Sequence, residues 1–308
     1  MISTINNTIY KAFGLYISSE IRLPEVPIAS ILMNDVNVKI ELGDLTECWS
    51  QKGTEGKIVV LEEMIVFKVK NLAIFSIQEG KRVIVSPLSE WDENKTRLYL
   101  LGTCMGVILL QRGMIPLHGS AIVIDGKAYG IVGDSGVGKS TLTTAFIKAG
   151  YKFLSDDVIA VSLSKRNIPF VNPSYPQQKL WQDSLDVFGF DSNQFKPLFD
   201  RENKYAVPVE KNFHAEPKPL AGIIELIKTE DRHLEICQLS NLNKVHTLYK
   251  HTFRNFLVQR LSLLDWHFHF STEIANQIQI HQMKRPSRGV APEQLVHHLL
   301  TLIEEGGI

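Results

Sequence analysis

At 308 residues the chain is long enough for one large domain or two small ones with a substantial core. Its 44% hydrophobic and 21% charged residues are those of an ordinary globular protein. With 33 basic against 33 acidic side chains it carries no net charge, which removes the electrostatic case for a nucleic-acid or acidic-membrane partner.

In chain order, Met1-Ile2-Ser3-Thr4-Ile5-Asn6 lacks a basic stretch leading into an apolar run, so no signal peptide is expected. Cys48, Cys104 and Cys237 are widely spaced and in no metal-ligand pattern, which fits three unpaired thiols in a reducing cytoplasm. Residues 8 to about 90 read mostly as strands. Asp35 to Leu42 alternates polar and apolar at period two, Ile65, Phe67 and Val69 repeat the pattern, and Glu79-Gly80-Lys81 reads as a turn before Val83-Ile84-Val85. From Glu93 to Gln111 the spacing of Leu98, Leu101, Met105 and Leu109 predicts a helix. Its apolar stretch, Leu98 to Leu110, is too short to span a bilayer. A soft domain boundary is expected near residue 95, dividing 1–95 from 96–308.

Ala121 to Ile124 and Ala128 to Val132 flank Asp125-Gly126, a pair suited to the positive φ angles of a hairpin turn. A helix then carries Leu142, Ala145, Phe146 and Ala149 on one stripe and stops at Gly150. Phe153-Leu154 and Val158 to Val161 read as strand, interrupted by Ser155-Asp156-Asp157. Residues 164 to 219 are polar and proline-containing and are expected to be irregular, facing substrate or mobile. Gly222 to Ile227 and Leu234 to Leu239 read as paired strands. Pro292 starts a last helix with Leu295, Val296, Leu299 and Ile303 on one face, ended by Gly306-Gly307.

The chemistry concentrates at Gly133-Asp134-Ser135-Gly136-Val137-Gly138-Lys139-Ser140, followed by Thr141, between a strand and a helix. Glycines let several N–H groups converge on one anion, and the helix N-terminus adds its partial positive charge. Lys139 supplies a charge for the β- and γ-phosphates and Ser140 a hydroxyl for Mg²⁺, so ATP and Mg²⁺ are the expected ligands. Such a loop is common to GTPases, ATPases and small-molecule kinases and does not choose a reaction. Asp156 and Asp157 lie seventeen and eighteen residues beyond Lys139. Both reach the site only where their strand ends or is bulged, and two acids there can divide metal binding from proton acceptance. His118 lies upstream of the loop strand, placed for a supporting or acid–base role.

Taken together, His118-Gly119, the loop at 133–140, Gly150 and Ser155-Asp156-Asp157 resemble the bacterial HPr kinase/phosphorylase family over about residues 115 to 162. They are more distantly similar to the nucleotide site of phosphoenolpyruvate carboxykinase. The resemblance implies an α/β (α+β) fold with a carboxykinase-like P-loop core behind a β-rich N-terminal region. It implies Asp156 as the base acting on an acceptor serine and Asp157 by the metal and His118, with Ser140 and Asp157 as metal ligands. Assembly into a homo-oligomer is implied as well.

The Glu-x-Arg-Gly-Leu-Gly-type segment of that family is absent. Asn172-Pro173-Ser174-Tyr175-Pro176-Gln177-Gln178-Lys179-Leu180-Trp181 follows the aspartates instead. Nor does the N-terminal sequence look like the family's regulatory domain. The layout is similar to HPr-kinase-like proteins of lasso-peptide biosynthesis, which phosphorylate a serine at the C-terminal end of a precursor peptide. Three readings stay open: a serine kinase acting on a peptide or protein, a small-molecule kinase of the same core, and an ATP-binding regulator without transfer. Arg201, Lys204 and Arg254 are candidate second cations for the phosphate. His267, His269, His297 and His298 lack a third ligand in register and read as structural or surface residues.

Overall fold

The computed structural model describes residues 8–62, 64–198, 203–231, 233–287 and 289–307. The N-terminal stretch read above for a signal peptide therefore lies outside the described residues, as does Arg201. The chain divides into two compact units, 1–114 with 256–262, and 115–255 with 263–308. The boundary expected near residue 95 falls inside a helix of the first unit.

In the first unit, β1 (Thr8–Ala12), β2 (Leu15–Ser19), β3 (Val38–Leu42), β4 (Val59–Leu61), β5 (Met64–Val69), β6 (Ala73–Gln78) and β7 (Arg82–Pro87) form one sheet. Its order is β1-β2-β3-β7-β6-β5-β4. The expected strand from Asp35 begins only at Val38, because Met33–Asp35 is a 3-10 turn. A short helix, α1 (Thr46–Lys52), interrupts the run of strands. The single helix expected over 93–111 is three pieces: α2 (Glu93–Tyr99), a π-helical stretch at Leu100–Cys104, and α3 (Met105–Gln111). The stretch surrounds Gly102, where helix propensity is weakest.

The second unit is built on β8 (Ile115–Ile124) and β9 (Lys127–Val132), a hairpin turning at Asp125 and Gly126, whose φ angles are 47° and 76°. The loop helix α4 (Lys139–Lys148) follows, then β10 (Lys152–Ser155) and β11 (Val158–Leu163). Both pair with β8, β10 with its second half and β11 with its first.

The region expected to be irregular carries β12 (Pro169–Asn172), β13 (Gln177–Trp181), α5 (Gln182–Val187), β14 (Lys196–Pro197) and β15 (Lys204–Pro208). The strands β13, β15 and β14 make a small sheet of their own. Prolines within these segments masked the pattern, since strand edges and first positions tolerate them.

Next come β16 (Lys218–Thr229), β17 (Glu235–Gln238), α6 (Asn241–Lys250), α7 (Phe256–Arg260, in the first unit), α8 (Leu264–Gln277), β18 (Gln279–Pro286) and α9 (Pro292–Glu304). The expected pairing of the segments around 222–227 and 234–239 is corrected here. Strand β18 lies between them, parallel to β16 and antiparallel to β17. The last helix sits where its stripe placed it, with Leu295, Val296 and Leu299 buried.

Alternation along β16 shows how the sheet is covered. Ile224 and Leu226 join Leu142, Phe146, Leu295 and Leu299 on one face. Ile223 joins Val132, Leu248, Phe270 and Ile274 on the other. Helices thus cover both faces of a sheet in which β9, β16 and β18 run parallel. In such a sheet ligands bind outside the carboxyl ends of the strands. No helix among the described residues is long and apolar enough to cross a membrane.

Candidate functional site

Val132 ends β9, and the phosphate loop occupies the turn from there into α4. Gly133, Gly136 and Gly138 all have positive φ, at 149°, 83° and 100°. A Cβ on Gly133 would stand 2.5 Å from the Leu226 carbonyl oxygen of the neighbouring strand, and one on Gly138 would stand 3.0 Å from the Arg285 guanidinium. Glycine is therefore required at both places by backbone angle, and at Gly133 also by close approach to the main chain. Arg285, on β18, donates from Nε to the Val137 carbonyl at 2.9 Å and from a terminal nitrogen to the Pro286 carbonyl, bracing the loop from below. The Lys139 ammonium lies across the loop on the carbonyls of Gly133 (2.7 Å) and Asp134 (2.9 Å). Burial lowers its pKa, against the pull of Asp156 and Asp157.

The two aspartates sit where the strand along β8 is broken between Ser155 and Val158, the condition under which both can face one site. Asp157 is left-handed, φ 71°, a conformation that costs a non-glycine residue roughly 1–3 kcal/mol and clusters at functional sites. The turn gives the neighbours different surroundings. Asp156 is buried: Oδ1 accepts from Ser120 Oγ at 2.6 Å and from Ser140 Oγ at 3.4 Å, and Oδ2 accepts from the Lys179 backbone N–H at 2.8 Å. Asp157 is paired with the Lys179 ammonium at 2.6 Å and lies 3.7 Å from His118 Nδ1. Burial pushes the Asp157 carboxyl up, but the charges of Lys179, Lys204 and His118 outweigh it and hold the group below the usual carboxylate range. Burial pulls Lys179 down, and the Asp157 charge more than reverses this.

His118 Nδ1 also lies 3.1 Å from the Asp157 carbonyl oxygen, and its ring is tilted against Phe253. Burial lowers its pKa, although the Asp157 charge opposes the shift. The loop, Lys139, Ser140, Asp156, Asp157 and His118 therefore converge in the second unit. Thr141 points elsewhere, to Ser184 Oγ at 2.8 Å.

Of the other cations expected, Lys204 stands over the Trp181 ring, and its charge is felt at both Asp157 and Lys139. Arg254 is placed over the Phe253 ring. His267 is buried between Thr252 and Ser271, and burial holds its pKa down to about 4, as suits a core residue. Among the described residues no group of three or more His, Cys, Asp or Glu is arranged to hold a metal.

Sequence reasoning missed Ser120, Lys179, Arg285 and a cluster around Glu225. Lys179 had a signal: it lies in the segment that departs from the resembled family directly after the aspartates. Ser120 had a weaker one, adjoining His118-Gly119 on the same strand.

The Ser140 hydroxyl and the Asp156 carboxylate are two hard oxygen donors side by side at the start of α4. That donor set fits Mg²⁺, which takes one or two protein oxygens and completes its shell with water and phosphate.

No family model matches the chain. Over 70 residues it is 36% identical to the HPr kinase/phosphorylase of Mycoplasmopsis pulmonis (strain UAB CTIP), a stretch that is 22% of this chain. The match spans 23% of that relative, under a quarter of its length. Among solved structures, the Hpr(Ser) kinase/phosphatase from Coxiella burnetii aligns at 15% identity with a TM-score of 0.32, over 61% of this chain and 97% of that one.

Proposed function

We propose that this protein is a Mg²⁺- and ATP-dependent serine kinase with an HPr-kinase-like, carboxykinase-type P-loop core. Its acceptor would be a serine hydroxyl of a peptide or protein, with the C-terminal serine of a lasso-peptide precursor the best candidate. A cytoplasmic setting and a homo-oligomeric assembly belong to the same reading. The observation that carries it is the convergence of the phosphate loop with two aspartates in different environments, one beside Ser140 and one beside His118. Binding of a Mg-nucleotide accounts for the loop and the acid beside Ser140, but not for the second acid beside His118.

The contacts favour a division of labour different from the one the resemblance implies. Ser140 and Asp156 would hold the metal, which when bound neutralises charge on the phosphates. The Lys179 ammonium occupies Asp157, which leaves that carboxylate poorly suited to a cation and poorly basic. Asp157 is then suited to accept a hydrogen bond from the serine hydroxyl. The hydroxyl proton would pass to that carboxylate late, as the new P–O bond forms, while His118 Nδ1, donating to the Asp157 carbonyl, holds the turn that aims it. The loop N–H groups and Lys139 hold the phosphates in line, and positioning and electrostatics of this kind supply most of the catalysis in phosphoryl transfer.

Incubation with Mg-ATP and a peptide ending in serine, followed by mass spectrometry, should show a gain of one phosphate. The same peptide ending in alanine should gain none. Asp156→Asn should abolish transfer and raise the Mg²⁺ requirement while nucleotide binding persists. ATP binding without transfer to any serine-containing acceptor would refute the kinase reading and leave an ATP-binding regulator. An Asp156→Asn variant with full activity would refute the role given to that residue.

A further inference from the structure

Outside the contacts already described, one buried charge stands beside the loop without an evident purpose in the fold. Glu225 lies on β16 opposite Val132, the last residue of β9 before Gly133. Its side chain is 3% exposed. Three donors converge on it: the Lys250 ammonium and His251 Nε2 on Oε1, and Gln282 Nε2 on Oε2, each at 2.8 Å. Burial pushes this carboxyl up, but the hydrogen bonds from His251, Lys250 and Gln282 bring it down to about 2. A buried carboxylate is costly unless it is fully satisfied, and here it is anchored as an anion.

Unlike the carboxylate it binds, the Lys250 side chain is 38% exposed. Its backbone is also fixed. The segment after α6 is strapped along the start of β8, with the His118 N–H donating to the His251 carbonyl at 2.7 Å and the Phe253 N–H to the Pro116 carbonyl at 2.7 Å. The ammonium carries three donors, of which Glu225 takes one. Its charge interacts with that of Asp134 in the loop. Asp134 and Gly133 are also the residues whose carbonyls receive the Lys139 ammonium, the group that serves the β- and γ-phosphates. Through Glu225, which stands opposite Val132, the Lys250 ammonium is held at the strand end from which the loop begins at Gly133, where the Lys139 ammonium also lies. The neighbouring cations are engaged otherwise: Lys179 with Asp157, Lys204 over the Trp181 ring, and Arg285 with the carbonyls of Val137 and Pro286.

We propose that Lys250 is a second phosphate-binding cation of this site, contacting the terminal phosphate of the bound nucleoside triphosphate, and that buried Glu225 positions it. The inference rests on the nucleotide site proposed above. It adds a residue from the far side of the sheet, contributed by the end of α6. Glu225 fixes the ammonium in place, so that little side-chain freedom is lost when phosphate arrives.

The test is calorimetric titration of the full chain with adenylyl-imidodiphosphate and, separately, with ADP, each in Mg²⁺. Lys250→Met should weaken the triphosphate analogue by about tenfold or more, the effect of one charge-assisted hydrogen bond, and leave ADP within about twofold. Lys250→Arg should retain most of the triphosphate preference, and Glu225→Gln should lose part of it. Lys250→Met leaves Glu225 to His251 and Gln282, so some fall in melting midpoint is expected; titration well below that midpoint, with ADP affinity kept, shows that the fold is retained. Equal weakening of both nucleotides, or an unaltered preference, overturns the proposal and leaves Lys250 a structural partner of Glu225. Wild-type protein that binds neither nucleotide would instead overturn the kinase reading, and the role of Lys250 with it.

Discussion

Replacing Lys179 by methionine removes the ammonium while keeping most of the side-chain volume, and it isolates the charge on which the division between the two aspartates depends. In the native protein the Lys179 side chain is 9% exposed and that of Asp157 22%, with 2.6 Å between their charged atoms. Removing one partner of a buried pair costs about 3–5 kcal/mol, because the other charge is left uncompensated. Asp157 retains some contact with water and has His118 at 3.7 Å, so the lower end, about 3 kcal/mol, applies. For a unit of 150–250 residues this corresponds to a fall in melting midpoint of about 6–12 °C. The pH dependence gives an independent signature. The Asp157 pKa is depressed in the folded state, so its stabilisation is present above the unfolded value near 4 and is lost as pH falls below it. Thermal melts from pH 3 to 8 should therefore show a shallower acid limb in Lys179→Met than in wild type. In Lys179→Met combined with Asp157→Asn, the loss should be smaller than the sum of the two single losses, since no unpaired charge remains. A Lys179→Met protein within about 1 kcal/mol of wild type, with an unchanged acid limb, would show that the pair does not organise the site.

Two further outcomes concern the loop. Gly133→Ala places a Cβ 2.5 Å from a strand carbonyl that cannot yield, so nucleotide affinity measured by titration should fall by more than about tenfold. Near-native affinity would mean that the loop geometry is not the phosphate site. Lys139→Ala should weaken ATP binding and phosphate transfer together, read from the same titration and from peptide mass; loss of neither would remove Lys139 from the site.

What could be read from the sequence was what is local. The phosphate loop is legible because anion binding uses the backbone of one continuous turn, and glycines mark that turn wherever it occurs. Asp125-Gly126 announced its hairpin, and Pro292 with a regular apolar stripe announced the final helix, for equally local reasons. Strand order was not legible. Strand β17 looked like the partner of β16 because it is next in sequence, yet β18 separates them after a crossover through α6 and α8. Ile280 and Met283 are the apolar residues of β18 buried in the core, among Gln279, His281, Gln282, Lys284 and Arg285, so its hydrophobic signal is faint. The Glu225 cluster was hidden for the same reason, since its members come from β16, β18 and the end of α6.

Asp156 and Asp157 show a subtler limit. Identical side chains at adjacent positions offer no ground in sequence for giving them different roles. The difference comes from the left-handed turn at Asp157, which sends one carboxylate to two serine hydroxyls and an amide, and the other to an ammonium and an imidazole. Both distinctions run through Lys179, whose backbone N–H holds the first acid and whose side chain holds the second. The stretch after the aspartates lacks the glutamate segment of the resembled family, but it is not empty of chemistry. It supplies Lys179, whose ammonium pairs with Asp157 and whose N–H holds Asp156 beside the Ser140 hydroxyl.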